Sequence, residues 1–237
     1  MMLYTANSPV SRKTIPKMLL LCLLLFSFIG CYSQPATVVY NSDTRIFNVP
    51  TGDGRPVMTD GIFQLGEWDD ASKLIINDST SILFKQFQGH LYLALDSREL
   101  LSPTIDLFLC TDSLNILQLH VSAQLGERNL LVAPEISEDT IWVWGQTTKW
   151  YANEFRWIYR LSDSLQRIEG LDWPEAIKQS GFPHEAVEMD ILQSKLKGNS
   201  CLFRTDIWTA YTGENPISFP PETKIDNLDG WAKFELK

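Results

Sequence analysis

The chain has 237 residues, of which 44% are hydrophobic and 21% charged, with 13 Gly and 12 Pro. This composition suits a globular domain with a sizeable core, and it excludes collagen, a coiled coil and wholesale disorder. The formal net charge is −9, and it becomes −12 when the basic residues Arg12, Lys13 and Lys17 are left out. Phosphate backbones and anionic lipid surfaces repel a chain of this charge, so nucleic acid is not an expected partner.

An uncharged apolar run covers residues 18–29, directly after those three basic residues. It is shorter than the ~20 residues that span a bilayer, and a basic segment followed by a short apolar run is typical of an export signal. Residues 28–31 (FIGC) resemble a bacterial lipoprotein box, which predicts a lipid on Cys31. The alternative is ordinary cleavage after Ser33, which makes Gln34 the first residue.

Residues 1–33 are therefore expected to be a signal and cleavage region of an exported protein. The expected location is the periplasm, the outer membrane through a lipid anchor, or the cell surface, and this lipid is the expected contact with a membrane. Disulfides form outside the cytoplasm, which raises the question of whether Cys110 and Cys201 are bridged. Each lies in an apolar strand-like run, which favours two buried thiols and leaves a bridge between them open. Their spacing matches no zinc motif.

Short strand patterns separated by Gly, Pro, Asn, Asp and Ser clusters follow the leader. They predict a lead-in segment at 34–55 and one all-β domain at 56–237, an antiparallel β-sandwich of jelly-roll type. The predicted strands are 73–77, 81–87, 90–96, 104–110, 117–124, 128–133, 140–145, 154–160, 186–191, 201–209 and 231–236. One short helix is expected at 173–179, with Asp172 as its N-cap and Pro174 in its first position.

Two strands show which faces the sheets should bury. In 117–124, apolar residues alternate with polar ones that include Gln118 and His120, so one face is expected to be wet and His120 to be a solvated surface residue. In 90–96, apolar residues occupy both sides. This pattern predicts a central strand that is covered on both faces.

Several short motifs occur in a fixed order between residues 56 and 237. They are Asp60-Gly61, Gly66-Glu67-Trp68 with Ala71, Leu91-Tyr92-Leu93-Ala94, Asp106-Leu107-Phe108-Leu109, Val187-Glu188-Met189-Asp190-Ile191 with Leu196, Phe203-Arg204 and Trp231-Ala232-Lys233-Phe234. This order resembles carbohydrate-binding modules of family 9 and their DOMON-like relatives. Leu192 and Ala232 depart from that pattern, where the family often has Pro and Gly. The resemblance implies a β-sandwich and sugar binding. It leaves open whether a structural calcium ion is bound.

Several motif residues have expected structural roles. Asp60 and Gly61 form a turn signal, Trp68 is expected to close one end of the sandwich, and Tyr92 is expected to fill the layer opposite the core. Glu67 and Glu188 are expected to accept hydrogen bonds from backbone N–H groups near strand ends.

No motif for catalysis is found in the sequence. A glycosidase needs two carboxylates that face each other across a cleft, and no local motif points to such a pair. A serine hydrolase needs a G-x-S-x-G elbow, which is absent from the sequence. The three histidines have no metal-ligand spacing. The sequence therefore predicts a protein that is not an enzyme, without catalytic or metal-ligating residues.

Aromatic residues are dense between residues 141 and 159, where six Trp and Tyr side chains occur. Ile141 and Val143 alternate with Trp142 and Trp144, so Trp142 and Trp144 are exposed if the aliphatic pair faces the core. Residues 155, 157 and 159 share one face in the same way. Sugars stack their apolar C–H faces on such rings, which makes an oligosaccharide or polysaccharide the expected partner.

A second candidate group follows Arg204 and contains Trp208 and Tyr211. In the resembling family, aromatic side chains clamp a terminal sugar and an arginine of a late strand assists. The expected binding residues are therefore Trp142, Trp144, Arg204, Trp208 and Tyr211.

Two alternatives remain open. Some DOMON-like domains hold b-type haem through Met and His, and Met58, Met189 and the three histidines are such ligand types. The other alternative is a structural or adhesion lipoprotein without a small ligand. Otherwise no cofactor is expected.

Overall fold

The computed structural model describes residues 36–38, 45–96, 103–112, 115–122, 124–132, 141–145, 147–153, 170, 186–209 and 215–236, all within the compact unit Gln34–Lys237. Its strands are β1 Ala36–Val38, β2 Ile46–Val49, β3 Ser72–Asn77, β4 Thr80–Phe87, β5 His90–Asp96, β6 Thr104–Asp112, β7 Asn115–Val121, β8 Leu125–Leu131, β9 Val143–Trp144, β10 Trp150–Ala152, β11 Ala186–Leu192, β12 Ser200–Trp208, β13 Ile217–Phe219 and β14 Ala232–Leu236. Two 3-10 helices cover Gln193–Lys195 and Leu228–Gly230. The helix expected at 173–179 and the strand expected at 154–160 lie outside the described residues. Across the described ranges, no helix has the length and apolarity to cross a membrane.

The strands form two sheets. The six-stranded sheet has the order β1-β3-β4-β5-β11-β10, and the eight-stranded sheet has the order β2-β14-β12-β6-β7-β8-β9 with β13 beside β12. Most neighbours are antiparallel, while β1 with β3 and β2 with β14 are parallel. The predicted all-β, sandwich-like architecture is confirmed.

Phenylalanine rings join the inner faces of the two sheets. Phe84 of the six-stranded sheet lies 4.8 Å from Phe47 and 6.3 Å from Phe203 of the eight-stranded sheet, measured between ring centroids. All three rings are buried. Since a fully buried Phe contributes about 1.5–3 kcal/mol to folding, this group is a main source of stability for the pairing of the sheets.

The outer face of the six-stranded sheet is also covered, as predicted for strand 90–96. Tyr92 and Ala94 of β5 are buried on this side, where they pack in one cluster with Trp68 and Val57. The segment between β2 and β3 therefore forms a lid over the middle of β4 and β5, while Ile75 of β3 and Tyr151 of β10 stay exposed on the same face.

Lys85 of β4 holds that lid in place. Its ammonium group is fully buried and donates to the carbonyl oxygens of Arg55 (2.7 Å) and Glu67 (2.5 Å) and to Oδ1 of Asp70 (2.9 Å). Three acceptors match the three N–H donors of the ammonium group. The buried charge is thus fully compensated.

Cys110 and Cys201 are free, buried thiols. Cys110 is opposite Leu202 in the register of β6 and β12, so Cys201, one residue earlier, points to the other face of the sheet. Accordingly, Cys201 lies in the core between the sheets and Cys110 lies in a separate outer cluster with Phe108.

Candidate functional site

The outer face of the eight-stranded sheet carries a row of polar and aromatic residues across six strands, from β13 to β9. The register places each residue of the row directly opposite the next. This cross-strand row consists of Ser218, Asp206, Asp106, His120, Gly126 and Trp144. Because neighbouring strands lie ~4.8 Å apart, the row is roughly 24 Å long.

Strand alternation explains why the row faces outward. Ile105, Leu119 and Ile207, each one residue away from a member of the row, belong to the core between the sheets. Side chains alternate along a strand, so the intervening polar residues point to the opposite side. The same parity places Trp208, opposite Thr104, on this outer face.

Trp142 and Trp144 form a stacked pair at one end of the row. Their ring centroids are 4.8 Å apart and their planes differ by 23°. Trp144 lies across the backbone of Gly126, where a Cβ atom would come within 2.6 Å of the indole. Trp144 remains 43% exposed. A glycine at this position thus allows the pair to lie flat on the sheet with one ring open to solvent.

His120 stands between the tryptophans and a carboxylate. Its Nδ1 lies 2.9 Å from Oδ1 of Asp106 and its Nε2 lies 3.0 Å from Oγ of Ser122. Its ring meets Trp142 and Trp144 edge to face, at centroid distances of 5.7 and 5.4 Å. The expectation of a solvated His120 is wrong, because its side chain is only 19% exposed and both nitrogens are engaged.

Gln118 links the carboxylate to an arginine. Its Nε2 donates to Oδ1 of Asp106 (3.0 Å), and its Oε1 accepts from Nε of Arg128 (2.7 Å). The guanidinium of Arg128 in turn covers the ring of Trp142 at 4.5 Å. Gln118 is buried, so the prediction of a fully wet face for its strand is wrong at this position. These bonds use Oδ1 of Asp106 and leave Oδ2 without a hydrogen bond to any described residue.

Arg204 is on the same face but is not open to solvent. Its Nη1 donates to Oδ2 of Asp206 (2.5 Å), its Nε to Thr223, and its Nη2 to Ser218. The guanidinium also lies 5.4 Å from the ring centre of Phe108. With a residue exposure of 5%, Arg204 cannot be the solvent-facing anchor that the sequence suggested. Burial beneath the segment that contains Thr223 is the reason.

The remaining expected residues are distributed as follows. Trp208 is half-buried, and Tyr211, residues 155–159 and Cys31 lie outside the described residues. Ile141 and Val143 are exposed, at 86% and 44%, so the condition of a core-facing aliphatic pair is not met, although Trp144 is itself exposed. The reason is that β9 is a two-residue edge strand, where neither side is covered by the other sheet.

The expected structural roles of Glu67 and Glu188 as acceptors of backbone N–H groups are confirmed. Glu188 is fully buried, and it accepts from the backbone N–H of Asp60 (3.0 Å) and Gly61 (2.8 Å) and from Nε1 of Trp68 (3.0 Å). Glu67 accepts from the backbone N–H of Met58 at 2.5 Å. Burial raises the pKa of Glu67, and it raises the pKa of Glu188 to about 7.

The described residues do not bring together a Met and a His as haem ligands. Met189 faces the core between the sheets, Met58 is 61% exposed in the lid, and His90 and His120 lie on the outer faces of different sheets. No group of three or more His, Cys, Asp or Glu side chains within the described ranges is arranged to hold a metal ion.

No protein-family model, curated protein or solved structure matches the chain. The inference about function therefore depends on the geometry of the cross-strand row. Sequence reasoning found Trp142 and Trp144 from their density, but it missed Asp106, Gln118 and Arg128. Polar residues on one face of strand 117–124 were the available signal, although they do not show which neighbours they meet.

Proposed function

We propose that the chain is a non-catalytic glycan-binding protein and that its binding site is the Trp144 end of the cross-strand row. The observation that carries this proposal is the partly exposed Trp142–Trp144 stack, which lies on the same face as the carboxylate of Asp106 with His120 between them. Indole faces bind the apolar C–H faces of sugars. Oδ2 of Asp106 is an acceptor for a sugar hydroxyl, and Arg128 supplies donors next to the stack.

The positions of the acidic groups support binding over catalysis. A glycosidase uses a carboxylic acid of raised pKa that touches the scissile bond. The two described carboxylates with raised pKa values, Glu67 and Glu188, are buried under the lid on the other sheet. On the proposed binding face, both oxygens of Asp206 accept hydrogen bonds from Arg204 and Ser218.

The proposal includes an extracytoplasmic location and the resemblance to family 9 modules. An oligosaccharide or polysaccharide outside the cytoplasm is the partner that the export-like leader and the aromatic stack jointly suggest. Intact mass of the protein from its native host tests the location. We expect a chain that begins at a lipidated Cys31 or at Gln34, and retention of Met1 would contradict export.

The binding test removes the stack in two independent ways. Trp144→Ala deletes the exposed ring, and Gly126→Ala displaces it, because the new Cβ would meet the indole at 2.6 Å. Each change should weaken glycan affinity several-fold, since one aromatic contact contributes about 0.5–1.5 kcal/mol beyond burial. The readout is an oligosaccharide array followed by calorimetry with the oligosaccharide that the wild type binds best.

Two variants serve as controls. Tyr151→Ala removes an equally exposed aromatic ring (48%) from the six-stranded sheet, and Gly198→Ala adds a methyl group in open space. Neither should change affinity. A wild-type chain that binds no glycan on the array, or equal affinities for Trp144→Ala and Tyr151→Ala, would overturn the proposal.

A further inference from the structure

His120 lies near the centre of the cross-strand row and contacts four other side chains. One nitrogen meets Asp106, the other meets Ser122, and the ring touches both tryptophans. The hydroxyl of Ser122 also donates to the backbone carbonyl of Gln124 (3.1 Å), which anchors this contact in the turn after β7. The imidazole is therefore fixed at both nitrogens.

We propose that His120 is the positioning residue of this site, which holds the Trp142–Trp144 stack at a fixed distance from the carboxylate of Asp106. This inference rests on the proposed glycan site. A ligand that touches both an indole face and Oδ2 of Asp106 binds well only if the distance between these two groups equals the distance between its own two contact points. Among the described residues, His120 is the side chain that contacts both of them.

The edge strand β9, which carries Trp144 and directly follows Trp142, has a short pairing with the sheet. Among the described residues, β9 is two residues long, lies at the edge of its sheet and pairs with Gly126 and Glu127 of β8, and the backbone N–H of Gly145 adds one hydrogen bond to the carbonyl of Leu125 (2.9 Å). Gly126 contributes a flat backbone surface but no side chain that blocks lateral movement of the indoles. The edge of the imidazole supplies that block, and its bond to Asp106 ties the block to a central strand.

His90 provides a matched control within the chain. Its Nδ1 lies 2.6 Å from Oδ1 of Asp190, and its ring stacks on Tyr92 with centroids 5.7 Å apart. His90 thus makes the same carboxylate contact and also packs on an aromatic ring, but on the outer face of the six-stranded sheet. Replacement of His90 perturbs a similar local structure without touching the tryptophan stack.

The experiment compares His120→Gln with His90→Gln in the full chain by two readouts. The first is the exciton couplet that two stacked indoles give in ultraviolet circular dichroism, assigned by its loss in Trp142→Phe. The second is the affinity for members of a panel of cello-, xylo-, manno- and chito-oligosaccharides that the wild type binds. We expect His120→Gln to lower the couplet and to weaken affinity about tenfold, as for one lost charge-assisted hydrogen bond. His90→Gln should leave both unchanged.

An unchanged couplet and unchanged affinity in a folded His120→Gln would overturn the inference. If the wild type binds no oligosaccharide and the couplet still falls, the proposed function fails and the positioning of the stack stands. If His120→Gln does not fold, Ser122→Ala decides, since it removes only the Nε2 partner. Loss of the couplet in Ser122→Ala supports the inference, and retention of both readouts contradicts it.

Discussion

Glu188 is a buried carboxylate that three N–H groups surround. The backbone N–H of Gly61 and the indole N–H of Trp68 favour its charged form, whereas burial and the nearby carboxylates of Glu67 and Asp60 oppose it. Burial is the largest of these effects and raises the pKa of Glu188 from 4.5 to about 7. The stability of the lid over the six-stranded sheet is therefore expected to depend on pH through this side chain.

The raised pKa predicts a loss of stability with rising pH. A group with a higher pKa in the folded state binds protons more tightly there, so its stabilising contribution is complete below its unfolded pKa. It is lost as pH rises through the folded pKa, a window from about pH 4.5 to about pH 7. The change in the free energy of unfolding is at most about 3 kcal/mol for Glu188.

Urea unfolding of the wild type and of Glu188→Gln at about pH 5 and about pH 8 measures this contribution. The wild type should lose stability between the two conditions, and Glu188→Gln, which cannot ionise, should show a flatter dependence. Glu67, whose pKa burial also raises, accounts for a remaining slope that Glu67→Gln removes. Parallel pH profiles for wild type and Glu188→Gln would contradict the assignment.

At the scale of single elements, β12 and β13 are joined through Arg204 and Asp206. The guanidinium of Arg204 lies between the Asp206 carboxylate of its own strand and Ser218 of β13, and both ends of the ion pair are less than one-tenth exposed. Breaking a buried ion pair leaves one charge uncompensated. Arg204 therefore stabilises the edge of the sheet and shapes the far end of the cross-strand row.

Arg204→Ala should lower the free energy of unfolding by about 3–5 kcal/mol. The control is Lys233→Ala, which breaks the exposed pair of Lys233 with Glu235 (2.9 Å) and should cost at most about 1 kcal/mol. Denaturant unfolding of both variants gives the comparison. Similar small losses in the two variants would show that Arg204 is not the structural link between β12 and β13.

Strand positions were predictable because short alternating or apolar segments between turn residues encode them. β5, β6 and β11 begin and end within two residues of their predicted bounds. The register between two paired strands, by contrast, is not encoded in a local segment of the sequence. Asp106 and Asp206 are 100 positions apart, and only the pairing of β6 with β12 makes them neighbours. The tryptophan pair was therefore visible in the sequence, while its carboxylate and histidine partners were not.

At the scale of the whole molecule, the two outer faces differ. The lid between β2 and β3 buries Leu83, Tyr92 and Ala94 on the outer face of the six-stranded sheet, with Lys85 and Glu188 satisfied beneath it. The outer face of the eight-stranded sheet keeps a partly exposed indole beside engaged polar groups. One face thus contributes stability, and the other carries the surface at which we propose that a glycan binds.

The positions of Cys110 and Cys201 predict how a reductant affects the stability of the whole molecule. Cys110 and Cys201 belong to neighbouring strands but point to opposite faces of the sheet, so no disulfide joins them even in an oxidising compartment. Burial raises the pKa of both thiols, which keeps the reactive thiolate scarce. A bridge across this loop would contribute about 4 kcal/mol to stability.

Urea unfolding with and without dithiothreitol should therefore give the same midpoint. Iodoacetamide should modify neither Cys110 nor Cys201 in the native protein and both after unfolding, because exposure of Cys201 requires separation of the sheets and exposure of Cys110 requires opening of the outer cluster with Phe108. A midpoint that falls in dithiothreitol by the equivalent of about 4 kcal/mol would instead show a bridge, and β12 would then have to shift its register against β6 by one residue. Such a shift would also turn Asp206 into the core, which would dismantle the cross-strand row.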